Sequence, residues 1–564
     1  MKIFIKGKQA VTLSQREFVA KGGEGLIYRQ GDTCYKLYEP PNQCIPEAKI
    51  SELSVLQLRN IIIPQNLILD NKNHPIGYTS RWVDNAESLC KLFTEAYKTT
   101  NHLTYDQINA LLHHLQDIVA YIHSKNIIVV DLNELNFLVK VPEYKEIYAI
   151  DVNSYQTPSF PATVIMPNIK DWHTSGFNEN SDWFSFAVLS FNLMIGMHPY
   201  KGGHPDFVHI PIKERMIARM HKNISAFNSK ATMPKVCESF DVIPPGLKKW
   251  LYSVLEEGKR IPPPTDYEAV AVIIQIKEIV GSNLFEIKLL ETLTCNIFDC
   301  CYSNSQQIIV VDKGLYINKQ FRSFSNTLQV GFSPKMNWPC GVYLSQDTIH
   351  IVDLRSWQET TLGHAKSIFS SGNRLYTITG NDVLEIVLTE IGDRILPSLK
   401  NVGRVLDVPD ATKVYDGVVV QQVLDRYVVS VFPESGKCYQ INIPELDGYR
   451  ILTGKYENNV LMLIGEQKGK YTRFVIRFGP DFASYDIRLV QDVDYTGLNF
   501  TVTDASVCVT INEEEKVELF SNKKDSSLKI IEDAAIDGTM HLFHNGSKVI
   551  FAKKDKLYSM SMIK

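Results

Sequence analysis

The sequence predicts a multidomain chain, with an α+β first half and an all-β second half that takes the form of a β-propeller of about seven blades. Three observations carry this expectation. The chain has 564 residues, too many for a single hydrophobic core. Up to about residue 280, long stretches of helical period alternate with short strands. From about residue 285, short runs rich in Val, Ile and Tyr follow one another between turn residues.

In the first half, Tyr105 to Ile122 places apolar side chains at i, i+3, i+4 and i+7 from Ile108 onward, one stripe of a helix with a buried face. Further helices fit Ser181 to Met197, Pro245 to Glu257 and Tyr267 to Ile279, the last closing the first domain. Ile261-Pro262-Pro263-Pro264-Thr265 cannot be helical, because proline lacks an amide donor and fixes φ. In the second half, hairpins begin at Gln307 to Val311, Thr348 to Asp353, Arg374 to Gly380, Arg426 to Phe432, Val460 to Gly465, Ser506 to Ile511 and Lys548 to Lys553. Seven hairpins over roughly 280 residues repeat about every 40, the size of one four-stranded blade. A pair of sandwiches, or a ring of six or eight blades, fits the uneven spacing as well. The expected domains are residues 1–282 and 283–564.

Composition narrows the function classes. Hydrophobic residues make up 44% and charged residues 22%, an ordinary globular balance. With 59 basic and 63 acidic residues the net charge is -4, which argues against a nucleic-acid or anionic-membrane coat. Met1 to Lys6 lacks the apolar stretch of a signal peptide, and Trp183 to Met197 is too short to span a bilayer. Ten irregularly spaced cysteines form no disulfide framework and no C-x-x-C pair. The expectation is a cytoplasmic protein without nucleic-acid or membrane partners.

The chemistry concentrates in the first half. Ala20 to Tyr28 has the spacing of a glycine-rich loop, with Gly22, Gly23 and Gly25 letting backbone approach phosphate oxygens. Alone, a plain hairpin turn is the simpler explanation. Lys36 follows on the next apolar strand, within reach of such phosphates. Glu47 opens a helical pattern and is placed to pair with Lys36, with Glu52 as a competing partner.

The decisive stretch is Ile122 to Val139, where Asp131 and Asn136 stand at D-x-x-x-x-N spacing. It resembles a protein-kinase catalytic loop. Ala149-Ile150-Asp151-Val152-Asn153 stands in the place of D-F-G. Ser181-Asp182-Trp183-Phe184-Ser185-Phe186-Ala187 is similar to the start of the large buried kinase helix, and Met197-His198-Pro199-Tyr200 to the segment closing it. The likeness is closer to bacterial kinase-like proteins of helix-hairpin-helix or tellurite-type stress loci than to eukaryotic kinases, in Val129-Val130-Asp131-Leu132-Asn133 and Ile150 to Gln156.

The resemblance implies a protein-kinase-like bilobal domain and a set of roles. Gly22, Gly23 and Gly25 cover the phosphates of ATP, and Lys36 holds them, oriented by Glu47. Asp131 orients and deprotonates the acceptor hydroxyl, while Asn136 and Asp151 hold magnesium. Ser80 and Arg81 fall at the gatekeeper and hinge, followed by Trp82, where adenine meets the backbone. The departures are Val129 and Val130 in place of His and Arg, Asn133 in place of a phosphate-binding Lys, Asn153 in place of Gly, and the absence of A-P-E, with Met166-Pro167-Asn168 nearest. Without the Arg, switching by activation-loop phosphorylation is not expected. Others read blandly: His123 as a core histidine, Asp182 as a structural cap, Lys523-Lys524 and Lys553-Lys554 as solvated turns, Trp172 to Gly176 as an exposed loop.

The leading expectation is an ATP- and magnesium-dependent serine/threonine protein kinase whose propeller recruits protein substrates or partners. A pseudokinase scaffold with nucleotide-regulated partner binding is the alternative. A small-molecule phosphotransferase is the third, disfavoured because Ser181 to Tyr200 keeps the protein-kinase pattern.

Overall fold

The computed structural model describes every residue except 9, 22–23, 163–164, 268–281, 304–305, 407, 409–410, 424–425, 494–496, 522–526, 547 and 564. The chain forms two compact units, one holding Met1–Lys277 and the other most of Glu278 onward.

The first unit begins with seven strands and one short helix. β1 (Lys2–Ile5), β2 (Ala10–Thr12), β3 (Phe18–Lys21), β4 (Gly25–Gln30), β5 (Thr33–Tyr38), β6 (Asn66–Leu69) and β7 (Pro75–Arg81) form one antiparallel sheet in the order β2-β1-β6-β7-β5-β4-β3. Helix α1 (Glu47–Leu53) interrupts them for seven residues. The central strands pack tightly enough to exclude side chains: a Cβ on Gly77 would lie 2.1 Å from the Lys36 carbonyl oxygen. Gly77→Ala is therefore expected to cost about 1–3 kcal/mol, read as a lower urea midpoint.

A second, three-stranded antiparallel sheet joins β8 (Ala86–Ser88), β9 (Phe137–Lys140) and β10 (Ile147–Ala149). Around it lie α2 (Glu95–Thr100), α3 (Tyr105–His123), α4 (Glu179–Ile195), α5 (Ile212–Met220) and α6 (Pro245–Leu255). Thr104 caps α3 through a reciprocal bond with Gln107, and Asn178 does the same for α4 with Ser181. α3 buries Ile108, Leu111, Leu112, Leu115, Ile118, Val119 and Ile122, each worth about 1.5–3 kcal/mol of transfer free energy. α4 is buried on nearly every side and stops at Gly196, whose φ of +82° suits glycine. Among the described residues, no helix is long and apolar enough to cross a membrane.

These elements correct the expected fold class. Among the described residues the chain is mainly β, 42% strand against 17% helix, built of many small antiparallel sheets with no helical N-terminal lobe. The expected class, an α+β protein-kinase-like bilobal domain ahead of an all-β domain, is replaced by this mainly-β architecture. The balance comes from the second half: of the 38 strands among the described residues, 28 lie from Phe285 onward and ten before it. The sequence helices at Ser181, Pro245 and Tyr105 lie on α4, α6 and α3, whereas the helix expected over Tyr267 to Ile279 falls, beyond Tyr267, outside the described residues.

The second unit contains, among the described residues, seven four-stranded antiparallel sheets, an arrangement with which the expected propeller is compatible. Each hairpin start anticipated from sequence lies on a strand of a different sheet. Neighbouring sheets bury apolar faces together, as where Val418 and Val429 meet Leu463 and Phe474. One sheet pairs Phe285–Thr292 with Lys556–Met562, so it unites strands from opposite ends of the unit.

Candidate functional site

Lys36 carries a buried ammonium, which demands compensation. It sits on β5 between Ile27 of β4 and Tyr78 of β7, with its side chain only 8% exposed. Its Nζ donates to Glu24 Oε2 at 2.7 Å, Asp151 Oδ1 at 3.0 Å and Asn153 Oδ1 at 3.5 Å. Burial pulls its pKa down, but Asp151 and then Tyr78 and Glu24 outweigh it, so the group stays charged, well above its ordinary range.

Asp151 follows β10 and adopts a left-handed φ of +56°, opening a short 3-10 turn over Val152–Ser154. Such a conformation in a non-glycine residue costs of order 1–3 kcal/mol and persists only where the surroundings fix it. Ser154 does so here, donating from both its amide and its hydroxyl to the Asp151 carbonyl, at 3.0 and 2.9 Å. The turn delivers Asn153, 8% exposed, whose Oδ1 accepts the Tyr78 hydroxyl at 2.6 Å. Asn153 Nδ2 donates to Glu24 at 3.4 Å.

The second half of the site is the loop between α3 and β9. Asn136 Nδ2 donates to the Asp131 carbonyl at 2.9 Å and to Asp131 Oδ2 at 3.2 Å, and the Asn136 carbonyl accepts the Ile150 amide at 2.9 Å. That last bond joins Asn136 to the residue preceding Asp151. Burial raises the Asp131 pKa, against hydrogen bonds from Asn133, Met166 and Asn136 that lower it, and the Asp151 charge adds to the rise.

A buried carboxylate underlies the loop. Asp182, in the first turn of α4 and fully buried, accepts the amides of Val129 and Val130 and meets His123 Nε2, each at 2.8 Å. Val130 has a φ of +66°, an outlier for a β-branched residue. Asp182 thus holds a strained backbone immediately before Asp131.

The sequence candidates divide. Lys36, Asp131, Asn136 and Asp151 are brought together. Gly25 opens β4 beside β5, where a Cβ would lie 1.9 Å from the Leu37 carbonyl; Gly22 and Gly23 lie outside the described residues. Ser80 is buried on β7 opposite Cys34. The Trp82 amide is spent on the Asp32 carbonyl at 2.8 Å, and its ring carries Arg29 at 4.8 Å, so the backbone donor expected for a base at Trp82 is already engaged.

Glu47 is corrected: it pairs with Lys6 at 2.5 Å and is 60% exposed, because α1 begins at that residue and sets it beside β1. Glu52 accepts the Ser159 amide instead. The orienting work falls to Asn153, Tyr78 and Glu24. Asn133 is fully buried, its Oδ1 accepting the Leu135 amide at 2.8 Å, and shapes the loop. Sequence reading also missed Asp171, whose buried carboxylate takes Arg260 in a two-point bond at 2.6 and 2.8 Å. Those partners are 89 residues apart, beyond any local signal.

For a metal, Asp151 offers a carboxylate 46% exposed, and Asn136, with its amide nitrogen committed to Asp131, offers its amide oxygen. Among the described residues no group of three or more His, Cys, Asp or Glu side chains gathers for a metal. Two hard oxygens suit magnesium, which takes few protein ligands and keeps water and phosphate oxygens for the rest. The groove of about 500 Å³ beside α1, lined by Lys6, Glu47, Ile50 and Asn66, shares only Glu47 with the candidates. No family model matches the chain, and no curated protein matches it.

Proposed function

We propose that the first unit transfers the γ-phosphoryl group of ATP, with magnesium, to serine or threonine hydroxyls of proteins, and that the all-β second unit recruits those proteins. The observation that supports this best is the pair of ties Lys36–Asp151 at 3.0 Å and Asn136–Asp131 at 3.2 Å, linked through the Ile150 amide. A fixed cation, two oxygen ligands and a separate carboxylate are the parts phosphoryl transfer requires. The reading rests on the site and not on the architecture that carries it.

Lys36 holds non-bridging phosphate oxygens. Asn136 and Asp151 hold magnesium, which supplies charge neutralisation on the phosphates. Asp131 accepts the hydrogen bond of the substrate hydroxyl and takes its proton as oxygen bonds phosphorus and ADP leaves. A tethered recruiting unit raises the local substrate concentration without touching this chemistry.

The test is transfer from γ-labelled ATP by the full chain, to itself and to a bacterial lysate, with and without magnesium. Label that requires magnesium is expected. No label on either acceptor, from protein with a folded circular-dichroism spectrum, overturns the activity. A pH–rate profile adds a sign: burial raises the Asp131 pKa, so the proton returns, and the rate falls, at a higher pH than for an ordinary aspartate. An acid limb at or below the usual aspartate range contradicts the role of Asp131.

A further inference from the structure

Glu24 takes no part in the transfer step above, yet of the groups that orient Lys36 it makes the shortest bond, at 2.7 Å. The ammonium has three protons and three acceptors, Glu24, Asp151 and Asn153, so a phosphate oxygen can take a proton only when one acceptor leaves. The three are not equally held. Asn153 is 8% exposed and fixed by the Tyr78 hydroxyl at 2.6 Å. Ser154 holds the Asp151 backbone in its left-handed turn, and the Asp151 carboxylate, 46% exposed, is the group assigned to magnesium. Glu24 is 51% exposed, and its partners Lys36 and Asn153 share one carboxylate oxygen, Oε2.

The backbone of Glu24 does not have to move for the side chain to leave. Its carbonyl accepts the Glu39 amide at 2.9 Å, which anchors the residue just ahead of β4. A second cation is also near: Lys49 of α1 interacts electrostatically with Glu24 as well as Glu52. A carboxylate displaced from Lys36 therefore has another ammonium close by.

We propose that the Glu24 side chain is an acidic latch on Lys36, occupying the place of a phosphate oxygen, which a nucleoside triphosphate must displace in order to bind. This rests on the nucleotide reading of the site. The latch sets the affinity for the phosphate chain and leaves recognition of the nucleoside alone. A carboxylate beside incoming phosphates also repels them, so removing its charge helps binding twice.

The experiment measures equilibrium binding of magnesium-ATP and of adenosine to the full chain, wild type beside Glu24→Gln. Glutamine keeps the size of a half-exposed side chain, and a thermal midpoint verifies the fold. The expected result is about three- to tenfold tighter ATP binding by the variant, with adenosine unchanged. ATP binding that is unchanged or weaker in the variant overturns the latch and leaves the nucleotide reading intact. A gain equal for ATP and adenosine also overturns it. If neither protein binds ATP, the latch and the nucleotide reading fall together.

Discussion

Asp131→Ala is expected to lower the rate of phosphoryl transfer about 10²–10⁴-fold, the usual contribution of a positioned general base. ATP affinity should change little, because Lys36, Asn136 and Asp151 keep their places. The carbonyl of residue 131 accepts the Asn136 amide at 2.9 Å whatever its side chain, so the loop retains one of its two ties. Initial rates at saturating ATP, beside a binding isotherm, separate the two effects. Retention of more than about a tenth of the wild-type rate would remove Asp131 from the chemistry.

Asp182→Ala is the largest expected loss of stability, about 3–5 kcal/mol. The substitution strands two backbone amides and the His123 ring in a buried region, where each orphaned donor costs about 1–3 kcal/mol. It also frees Val130 from its φ of +66°, so Asp131 loses its position and transfer falls as well. Trp183 stacks edge-on to His123 at 5.1 Å, and urea unfolding followed by circular dichroism reads the loss of stability. A loss under about 1 kcal/mol would show that the loop holds itself without the carboxylate.

Sequence reading succeeded where the signal is local and long. The stripe from Ile108 to Ile122 marks α3 within a residue of its end, and the hairpin starts of the second unit lie on strands. The D-x-x-x-x-N spacing placed Asp131 and Asn136 within one hydrogen bond of each other. It failed at three-residue strands such as β2, β8 and β10, which carry no period. It failed again where a partner is chosen by three-dimensional register. Glu47 looks like a partner for Lys36 in sequence, but its position at the start of α1 gives it to Lys6. The carboxylate that Lys36 receives from outside the Asp131–Asp151 region belongs to Glu24, inside the glycine-rich stretch read for its backbone alone. Tyr78 and Asn153 meet across 75 residues, a pairing that the D-F-G-like position of Asn153 does not announce.

The pairing of Phe285–Thr292 with Lys556–Met562 has a kinetic consequence. On a ribosome, the first strand of that sheet emerges long before its partner and must wait, unpaired, while the other six sheets are synthesised. Contacts of such high sequence separation slow folding, because the chain entropy is lost before the pairing rewards it. The waiting edge is also a template for strands of other chains. Phe285–Thr292 meets that hazard with charge, carrying Glu286, Lys288 and Glu291, gatekeepers that discourage association until the native partner arrives.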